Sequence, residues 1–130
     1  MTALGLGIDI VDVHRVSRML ERNGDRVYRR FLTRVEHEYC RSQAEPARHV
    51  AAHIAVKEAA YKALSQTGNV PVFWWRDVEI VRDSSGQPAV TFQGRAEAYV
   101  EDIGLVRTVV SLSHTESQAA AVVMVIPQRG

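Results

Sequence analysis

Hydrophobic and polar residues alternate along the first segment of the chain, from Leu4 to Val11. An alternation with a period of two predicts a β-strand whose two faces differ in polarity. One face carries Leu4, Leu6, Ile8 and Ile10, and the opposite face carries Gly5, Gly7 and Asp9. Because glycine has no side chain, we expect the second face to leave room for a ligand beside Asp9.

Helical signals fill the next part of the chain, and the predicted helices have recognisable ends. Asp12 is placed to cap a helix that stops at Asn23-Gly24, and Thr33 with Glu36 matches a capping box. Pro46 stands just ahead of the longest helix. The predicted helical segments cover residues 12–24, 27–32, 33–43 and 47–64.

The second half of the chain is mostly strand-like after an irregular loop at 65–76, which contains Trp74-Trp75. The predicted elements after this loop are strands at 78–82 and 89–92, a helix at 95–103, and strands at 107–113 and 119–126. This order predicts an α+β fold in which an antiparallel sheet packs against a long helix. The length of 130 residues fits a single domain, 1–130.

Composition narrows the class of protein. Hydrophobic residues make up 46% of the chain and charged residues 24%, as in soluble globular proteins. There is no apolar run long enough to span a bilayer, and the N-terminal residues do not resemble a signal peptide, so we expect a cytoplasmic protein without a membrane partner. The single Cys40 excludes an internal disulfide, and no Cys/His spacing matches a zinc site.

The net charge of +1 hides an arginine-rich segment between Arg15 and Arg48. Acidic residues are interspersed within it, so nucleic acid is not an expected partner. Within this segment Arg15, Arg18 and Arg22 recur at helical spacing beside Met19, which we expect to be exposed. Such an arginine ridge suits a carboxylate-rich protein surface. The pattern alone does not distinguish it from an ordinary solvated helix face.

One carboxylate stands out in the longest predicted helix. At the helical period, one arc carries the small or apolar residues Ala47, Val50, Ala51, Ile54, Ala55 and Tyr61. Glu58 lies in the middle of this arc, which we interpret as the inward face, and Lys62 follows one turn later. A buried charge costs free energy unless a cation, a metal or hydrogen bonds compensate it. The alternative is an ordinary i,i+4 Glu–Lys surface pair.

Asp9 and Glu58 together indicate a magnesium site. Mg²⁺ needs few protein carboxylates, because water and substrate phosphates complete its shell. Lys62 would then reach a phosphate oxygen, an arrangement suited to phosphoryl-type transfer. Asp9 alone would be a turn residue at a strand end. The Gly5-Leu-Gly7 pair is not a dinucleotide-binding motif, since position 10 is Ile and no glycine-rich turn opens the next helix.

Five short motifs occur in order from Leu6 to about Val125. They are Gly7-Ile-Asp9 followed by Arg15, Ala55-x-Lys57-Glu58-Ala59-x-x-Lys62-Ala63, Asp77-Val-Glu-Ile80, Ser85-Gly-Gln-Pro88 and Ser111-Leu-Ser-His114. Each is weak alone, but as a set they resemble the holo-acyl-carrier-protein synthases, the short single-domain 4′-phosphopantetheinyl transferases. The resemblance implies the fold of that family.

The resemblance also implies a reaction. The family transfers the 4′-phosphopantetheine group of coenzyme A to a serine of apo acyl carrier protein or a carrier domain, and releases adenosine 3′,5′-bisphosphate. Asp9 and Glu58 match its Mg²⁺ ligands, and Glu58 and Lys62 match its catalytic residues. The serine proton goes to Glu58 or to a metal-held water, and the sequence leaves both open. Coenzyme A contacts are implied for Lys62, Gly86, Gln87, Pro88, Ser113 and His114.

Two kinds of protein partner follow from the same resemblance. The helix after the Gly-Ile-Asp strand docks the acidic helix of the carrier protein, which assigns carrier binding to Arg15, Arg18, Met19 and Arg22. Short members of the family resemble trimers with active sites between subunits. We therefore expect a transient carrier partner and a homotrimer.

The chain departs from the family pattern at two places. His53 and Ile54 stand where the family often has a basic residue followed by an aromatic one, so we expect another group to supply a nucleotide contact there. The loop at 65–75 is longer by about two residues. We expect Trp74-Trp75 in this loop either to pack at a subunit contact or to line the pantetheine channel. The alternative is that at least one of them packs in the core.

Two other functions are compatible with the same residues. A metal-dependent phosphodiester hydrolase would use both acids with water as the nucleophile. A non-catalytic coenzyme A-binding module would not need Glu58. A mass gain on the carrier protein, and its loss on Glu58→Gln substitution, would separate these functions from the transferase.

Overall fold

The structure, a computed structural model, describes residues 3–104 and 106–128. Its strands are β1 (Gly5–Asp12), β2 (Val78–Arg82), β3 (Pro88–Phe92), β4 (Val106–His114) and β5 (Gln118–Pro127). Its helices are α1 (Val13–Phe31), α2 (Arg34–Arg41), α3 (Pro46–Ser65) and α4 (Gly94–Asp102). Within these described ranges, no helix has both the length and the apolar character needed to cross a membrane. Met1 and Thr2, part of the segment compared with a signal peptide, lie outside them.

The strands form two antiparallel sheets. The first has the order β1-β5-β4, with Asp9 opposite Ala121 and His114 opposite Ala119. The second is the hairpin of β2 and β3. Helix α3 packs along β1 and β5, so the long helix lies against the three-stranded sheet. The predicted α+β fold is confirmed.

The glycine face of β1 is covered by helix α3. A Cβ atom on Gly5 would lie 2.0 Å from the carbonyl oxygen of Ala63, and one on Gly7 would lie 1.9 Å from that of Ala59. Only glycine therefore allows the strand and the helix to approach this closely. The expectation that this face is open to a ligand is wrong at the two glycines, because the alanines of α3 fill the space.

The apolar face of the same strand lies on the surface instead. Leu6, Ile8 and Ile10 expose 49%, 59% and 64% of their surface. Val109 of β4 and Val122 of β5 are also exposed. We call these five residues the outer apolar face, and it is the side of the sheet opposite to α3.

Helix α3 is buried around most of its circumference. The alanines that contact the sheet are fully buried, and so are Val50 and Val56 on other sides of the helix. The prediction of a single inward arc centred on Glu58 is therefore wrong. Glu58 is half-buried, whereas its neighbour Lys57 is 2% exposed.

The predicted helix ends are largely confirmed. Asp12 Oδ1 accepts a hydrogen bond from the Arg15 amide at 3.1 Å and caps α1. The expected stop at Asn23-Gly24 is a kink, where Asn23 leaves helical geometry (φ −161°, ψ 68°) and the helix then continues to Phe31. Thr33 and Glu36 form the expected capping box at the start of α2.

Two side chains, Lys62 of α3 and Gln66 just after its end, cover the free edge of β1. The side-chain amide of Gln66 accepts from the Leu6 amide and donates to the Leu6 carbonyl, both at 2.9 Å. Lys62 Nζ donates to the Ile8 carbonyl at 3.0 Å. The helix therefore satisfies backbone groups at an edge where β1 has no neighbouring strand among the described residues.

Candidate active site

Asp9 and Lys62 form an ion pair between β1 and α3. Lys62 Nζ lies 3.0 Å from Asp9 Oδ1, and its second hydrogen bond to the Ile8 carbonyl fixes its direction. The pair depends on Gly7, because the close packing of strand and helix brings the lysine within reach of the aspartate. The Lys62 side chain is 50% exposed, so the ion pair is accessible to a ligand.

Asp9 and Glu58 line one cavity of about 530 Å³. Other walls of this cavity come from Arg15 and Met19 of α1 and from Trp75. We call it the acidic cavity. The structure thus brings the two expected metal ligands together, beside Lys62 and part of the arginine ridge.

The two carboxylates of the acidic cavity influence each other. Burial and the neighbouring Asp9 raise the pKa of Glu58 above its usual value, while the Lys62 ammonium opposes them. Carboxylates close enough to repel each other are stabilised by a shared cation, so their donor chemistry fits Mg²⁺. Among residues 3–104 and 106–128, no three His, Cys, Asp or Glu side chains form a group that could hold a metal ion.

A second cavity, of about 280 Å³, opens on the other side of Glu58. Its walls are mostly aromatic and aliphatic, from Tyr61, Val72, Phe73, Trp74, Trp75 and Val78. We call it the apolar cavity. Trp75 lines both cavities and packs edge-to-face on Phe31, with ring centroids 4.9 Å apart. Trp74 is 75% exposed, so only Trp75 takes part in the core.

The most deeply buried charges, Lys57 and Glu36, were missed from the sequence. Their side chains are 1% and 0% exposed and form an ion pair of 2.7 Å. Burial lowers the pKa of Lys57, and the attraction of Glu36 opposes that effect. The sequence did contain a signal for this pair. The residues one helical turn from Lys57 include His53, Ile54 and Ala60, none of which is acidic, so α3 does not offer the lysine a carboxylate at these positions. Its partner had to come from another element.

The expected coenzyme A residues fall in two places. Gly86, Gln87 and Pro88 lie in or just after the turn between β2 and β3, and Ser113 and His114 end β4. Gln87 and Pro88 line a cavity of about 280 Å³ next to β4, together with Arg82 and Ser111. The structure therefore places the β2–β3 turn close to β4, but Ser113 and His114 are not among the residues that line this cavity.

Within one chain, Lys62 is distant from His114. His114 contacts His49 near the start of α3, with ring centroids 5.3 Å apart. Lys62 lies 13 residues further along the helix, which is about 20 Å at ~1.5 Å per residue. Lys62 is therefore not brought together with His114 in a single protomer.

Polar atoms near His114 lack partners. Among the described residues, His114 Nδ1 and Arg48 Nε are the buried side-chain atoms without a hydrogen bond. Burial, together with the positive charges of Arg48 and Arg82, lowers the pKa of His114. The region is therefore rich in positive charge, carried by arginine and not by the histidine.

His53 does not supply that charge. It is 3% exposed, and its Nδ1 lies 2.7 Å from the His49 carbonyl, to which it donates. Burial lowers the pKa of His53 to about 4, so the ring is neutral at neutral pH. The expectation that another group supplies the nucleotide contact in place of position 53 stays a prediction, and Arg82 is close enough for its charge to lower the pKa of His53.

The arginine ridge lies on α1 as predicted. Arg15, Arg18 and Arg22 are exposed, and the helix presents them on the side of the acidic cavity through Arg15. Met19 is half-buried, so its expected exposure is wrong: it forms part of the cavity wall. Cys40 is fully buried, and burial raises its pKa to about 12, which leaves an unreactive thiol.

Comparison with known proteins gives consistent matches over nearly the whole chain. Residues 5–123 match the family model of the 4′-phosphopantetheinyl transferase superfamily. A holo-[acyl-carrier-protein] synthase of Geobacter metallireducens is 42% identical over 92% of this chain and 94% of its own length. That of Koribacter versatilis is 41% identical over 93% of this chain and 96% of its own length.

Solved structures of holo-[acyl-carrier-protein] synthases have a similar fold. A complex of ACPS with CoA from Chronobacterium ammoniagenes superimposes with a TM-score of 0.84 at 27% identity, covering 98% of this chain and 100% of that one. The Helicobacter pylori holo-[acyl-carrier-protein] synthase in complex with coenzyme A gives a TM-score of 0.78 at 28% identity, covering 93% and 99%.

Proposed function

Because this chain belongs to the 4′-phosphopantetheinyl transferase superfamily, among the holo-[acyl-carrier-protein] synthases, we propose the following course for its reaction. The serine hydroxyl of an apo acyl carrier protein attacks the β-phosphorus of coenzyme A. A bond forms between the serine oxygen and phosphorus, and the bond from phosphorus to the bridging oxygen breaks. The products are the phosphopantetheinylated carrier and adenosine 3′,5′-bisphosphate.

The observation that carries this proposal is the convergence of Asp9, Glu58 and Lys62 beside the arginine ridge. Asp9 and Glu58 would hold a Mg²⁺ ion, which when bound neutralises diphosphate charge and makes the phosphorus more electrophilic. Lys62 is exposed enough to turn from Asp9 to a phosphate oxygen. Its ammonium would then stabilise the negative charge that develops on the leaving group.

Glu58 is our candidate for the base that accepts the serine proton. Its carboxylate is half-buried in the acidic cavity, where an oxygen that does not hold the metal could accept the proton. It faces the acidic cavity, whose opposite wall contains Arg15 and Met19 of the carrier-binding helix. A serine delivered over α1 would therefore arrive beside Glu58.

The arginine ridge is our proposed docking surface for the carrier. Three exposed guanidinium groups on one helix attract an acidic partner from a distance and increase its association rate. Half-buried Met19 adds a small apolar contact next to the cavity. This combination suits a partner that binds briefly and leaves after modification.

The separation of Lys62 from His114 supports an active site shared between protomers, and the resemblance to the short family members is the reason to propose a homotrimer. The diphosphate and the ribose 3′-phosphate belong to one nucleotide, which is too short to join groups about 20 Å apart along α3. We propose that Gly86, Gln87, Pro88, Ser113 and His114 serve the acidic cavity of a neighbouring protomer. The outer apolar face is the surface we assign to this self-association, since exposed apolar patches mark protein contacts.

Arg48 and Arg82 are the groups we propose to replace the basic residue absent at position 53. Their charges already act on His49 and His114, so a phosphate bound there would meet two cations. A cytoplasmic location stays a prediction.

The test is a transfer assay with coenzyme A, Mg²⁺ and an apo acyl carrier protein, followed by mass spectrometry of the carrier. We expect a mass gain of one phosphopantetheine group, and a rate reduced about 100-fold or more in Glu58→Gln. Because this substitution also removes the repulsion from Asp9, we expect it to fold normally. Glu101→Gln on exposed α4 is the matched control and should keep the wild-type rate.

Two results would contradict the proposal. Consumption of coenzyme A without a mass gain on the carrier would indicate the hydrolase instead. A wild-type rate in Glu58→Gln would remove the catalytic role of this carboxylate.

A further inference from the structure

The Lys57 ammonium is buried in the protein with every one of its donors used. Nζ donates to Glu36 Oε1 at 2.7 Å, to the Val78 carbonyl at 2.7 Å and to the Trp75 carbonyl at 3.1 Å. An ammonium group has three donors, so these three acceptors exhaust its capacity. The lysine therefore has no bond left to give to a substrate.

Glu36 is satisfied from the other side. Its Oε1 also accepts from the Thr33 amide at 2.8 Å, and its Oε2 accepts from the Ile80 amide at 2.8 Å. The buried pair thus joins the start of α2, the middle of α3, the turn at Trp75 and the strand β2. A buried ion pair often adds little to stability compared with apolar residues, so its value is better sought in the geometry that it imposes.

The bond from Lys57 to the Trp75 carbonyl has a direct consequence for the candidate active site. Lys57 is adjacent in sequence to Glu58, and Glu58 and Trp75 are the two residues that line both the acidic cavity and the apolar cavity. The ring of Trp75 also packs on Phe31 near the end of α1. One buried hydrogen bond therefore links the helix that carries Glu58 to the wall shared by both cavities.

We propose that Lys57, with Glu36, is a positioning residue that fixes Trp75 as the partition between the two cavities beside Glu58. Its effect on catalysis, which rests on the proposed transfer function, is exerted through substrate binding. We call the hydrogen bond from Lys57 Nζ to the Trp75 carbonyl the tether. When the tether is lost, Trp75 moves relative to Glu58 and the acidic cavity loses its shape. The carrier KM then rises more than kcat falls, because the catalytic carboxylates stay in place.

Substitution of Lys57 removes a buried charge and also removes the hydrogen bond to the Trp75 carbonyl, so the variants must distinguish the effects of these two losses. Lys57→Met alone leaves Glu36 as a buried charge without a cation, so the protein should be strongly destabilised. The double substitution Glu36→Gln with Lys57→Met removes both charges and should recover part of that stability, because the single amide oxygen can accept from only one of the Thr33 and Ile80 amides. The double variant still offers no donor to the Trp75 carbonyl. Lys57→Gln is a second variant that also leaves Glu36 without a cation, but its amide can donate a hydrogen bond to Glu36 in place of the ammonium, and its shorter side chain gives no bond to the Trp75 carbonyl.

Two readouts are needed, and one of them does not depend on activity. The first is steady-state transfer with coenzyme A, Mg²⁺ and apo carrier protein, at a temperature well below each midpoint of unfolding. The second is acrylamide quenching of Trp75 fluorescence in a Trp74→Phe background, where Trp75 is the only tryptophan. Val100→Ala, a truncation in the core under α4, is the control for destabilisation without loss of the tether.

For the double variant and for Lys57→Gln, we expect the carrier KM to rise about tenfold with a smaller change in kcat. Quenching of Trp75 should increase in both, and in Val100→Ala both readouts should stay at the parent values. Wild-type KM in a stable double variant would overturn the proposal, since the pair would then contribute only to stability. Unchanged quenching would overturn it too, because Trp75 would not be the link. If the wild-type enzyme fails to transfer, the proposed function fails while the quenching comparison still decides the positioning role.

Discussion

Protonation of His53 should limit the stability of this protein in mild acid. The ring is 3% exposed and its Nδ1 donates to the His49 carbonyl, so it is held neutral in the folded state. An unfolded chain binds a proton at this histidine below about pH 6.5. The folded chain binds it only near pH 4, because burial lowers the pKa to about 4.

The direction in which the free energy of unfolding changes with pH depends on which state binds more protons. Between the two pKa values the unfolded state is protonated and the folded state is not, so stability is complete above the unfolded pKa and decreases as the pH falls. The interval from 6.5 to about 4 corresponds to about 3 kcal/mol at ~1.4 kcal/mol per pH unit. That is a large part of the ~5–15 kcal/mol that stabilises a typical domain.

The assay compares urea unfolding of the wild type and His53→Asn at several pH values between about 7.5 and about 4. Asparagine places an amide donor close to the position of Nδ1 but does not titrate. We expect it to lower stability at neutral pH through lost packing, and to reduce the acid-induced loss by about 3 kcal/mol. Carboxylates titrate in both proteins and cancel in the comparison.

Identical pH dependence in the two proteins would refute this reasoning. Such a result would mean that the buried imidazole is protonated as readily in the folded state as in the unfolded chain. An NMR titration of the wild-type ring checks the same point directly. The His53 signals should not shift until the pH approaches about 4.

Three further predictions follow from the packing and the charges. Gly7→Ala should cost more than about 3 kcal/mol in urea unfolding, since the new Cβ would meet the Ala59 carbonyl oxygen at 1.9 Å. Arg15→Glu combined with Arg18→Glu should lower kcat/KM for the carrier about tenfold or more at low salt, and a loss that does not shrink as salt is added would contradict electrostatic steering. Ile10→Asp on the outer apolar face should convert the proposed trimer to smaller species in light scattering, with parallel loss of transfer. A monomeric wild type would contradict the trimer.

Elements with local signals could be predicted from the sequence. The Asp12 cap, the capping box of Thr33 and Glu36, and both hairpins depend on residues within a few positions of each other. The kink at Asn23 was harder to predict, because the same Asn-Gly sequence is found both at the end of a helix and at a bend within one. The choice between them depends on whether the following turn finds a core to pack against, as Val27 does.

The orientation of β1 could not be predicted, because its apolar side looked like the core side. The structure buries the glycine side instead, where the absence of side chains lets α3 approach. The outer apolar face is then left exposed on the other side of the sheet. The pairing of Asp9 with Glu58 was predicted from the chemistry of the two carboxylates, and the motif resemblance then supported it.

The error at Lys57 has a related cause. A single inward arc is a property of helices with one polar side, and α3 is buried on nearly all sides. On such a helix the period of hydrophobic residues does not identify which charge is inside. The burial of Lys57 depends on Glu36, which is 21 residues away in the sequence.

The Gln66 amide on the β1 edge has a consequence for how this protein behaves when it is concentrated or partly dissociated. An edge strand with unpaired backbone groups and an exposed apolar surface is a template to which strands of other molecules can pair, and such pairing leads to aggregation. By occupying both polar groups of Leu6, Gln66 acts as a one-residue substitute for a neighbouring strand. Its removal should therefore shorten the storage lifetime of the protein and promote fibre growth long before it slows turnover.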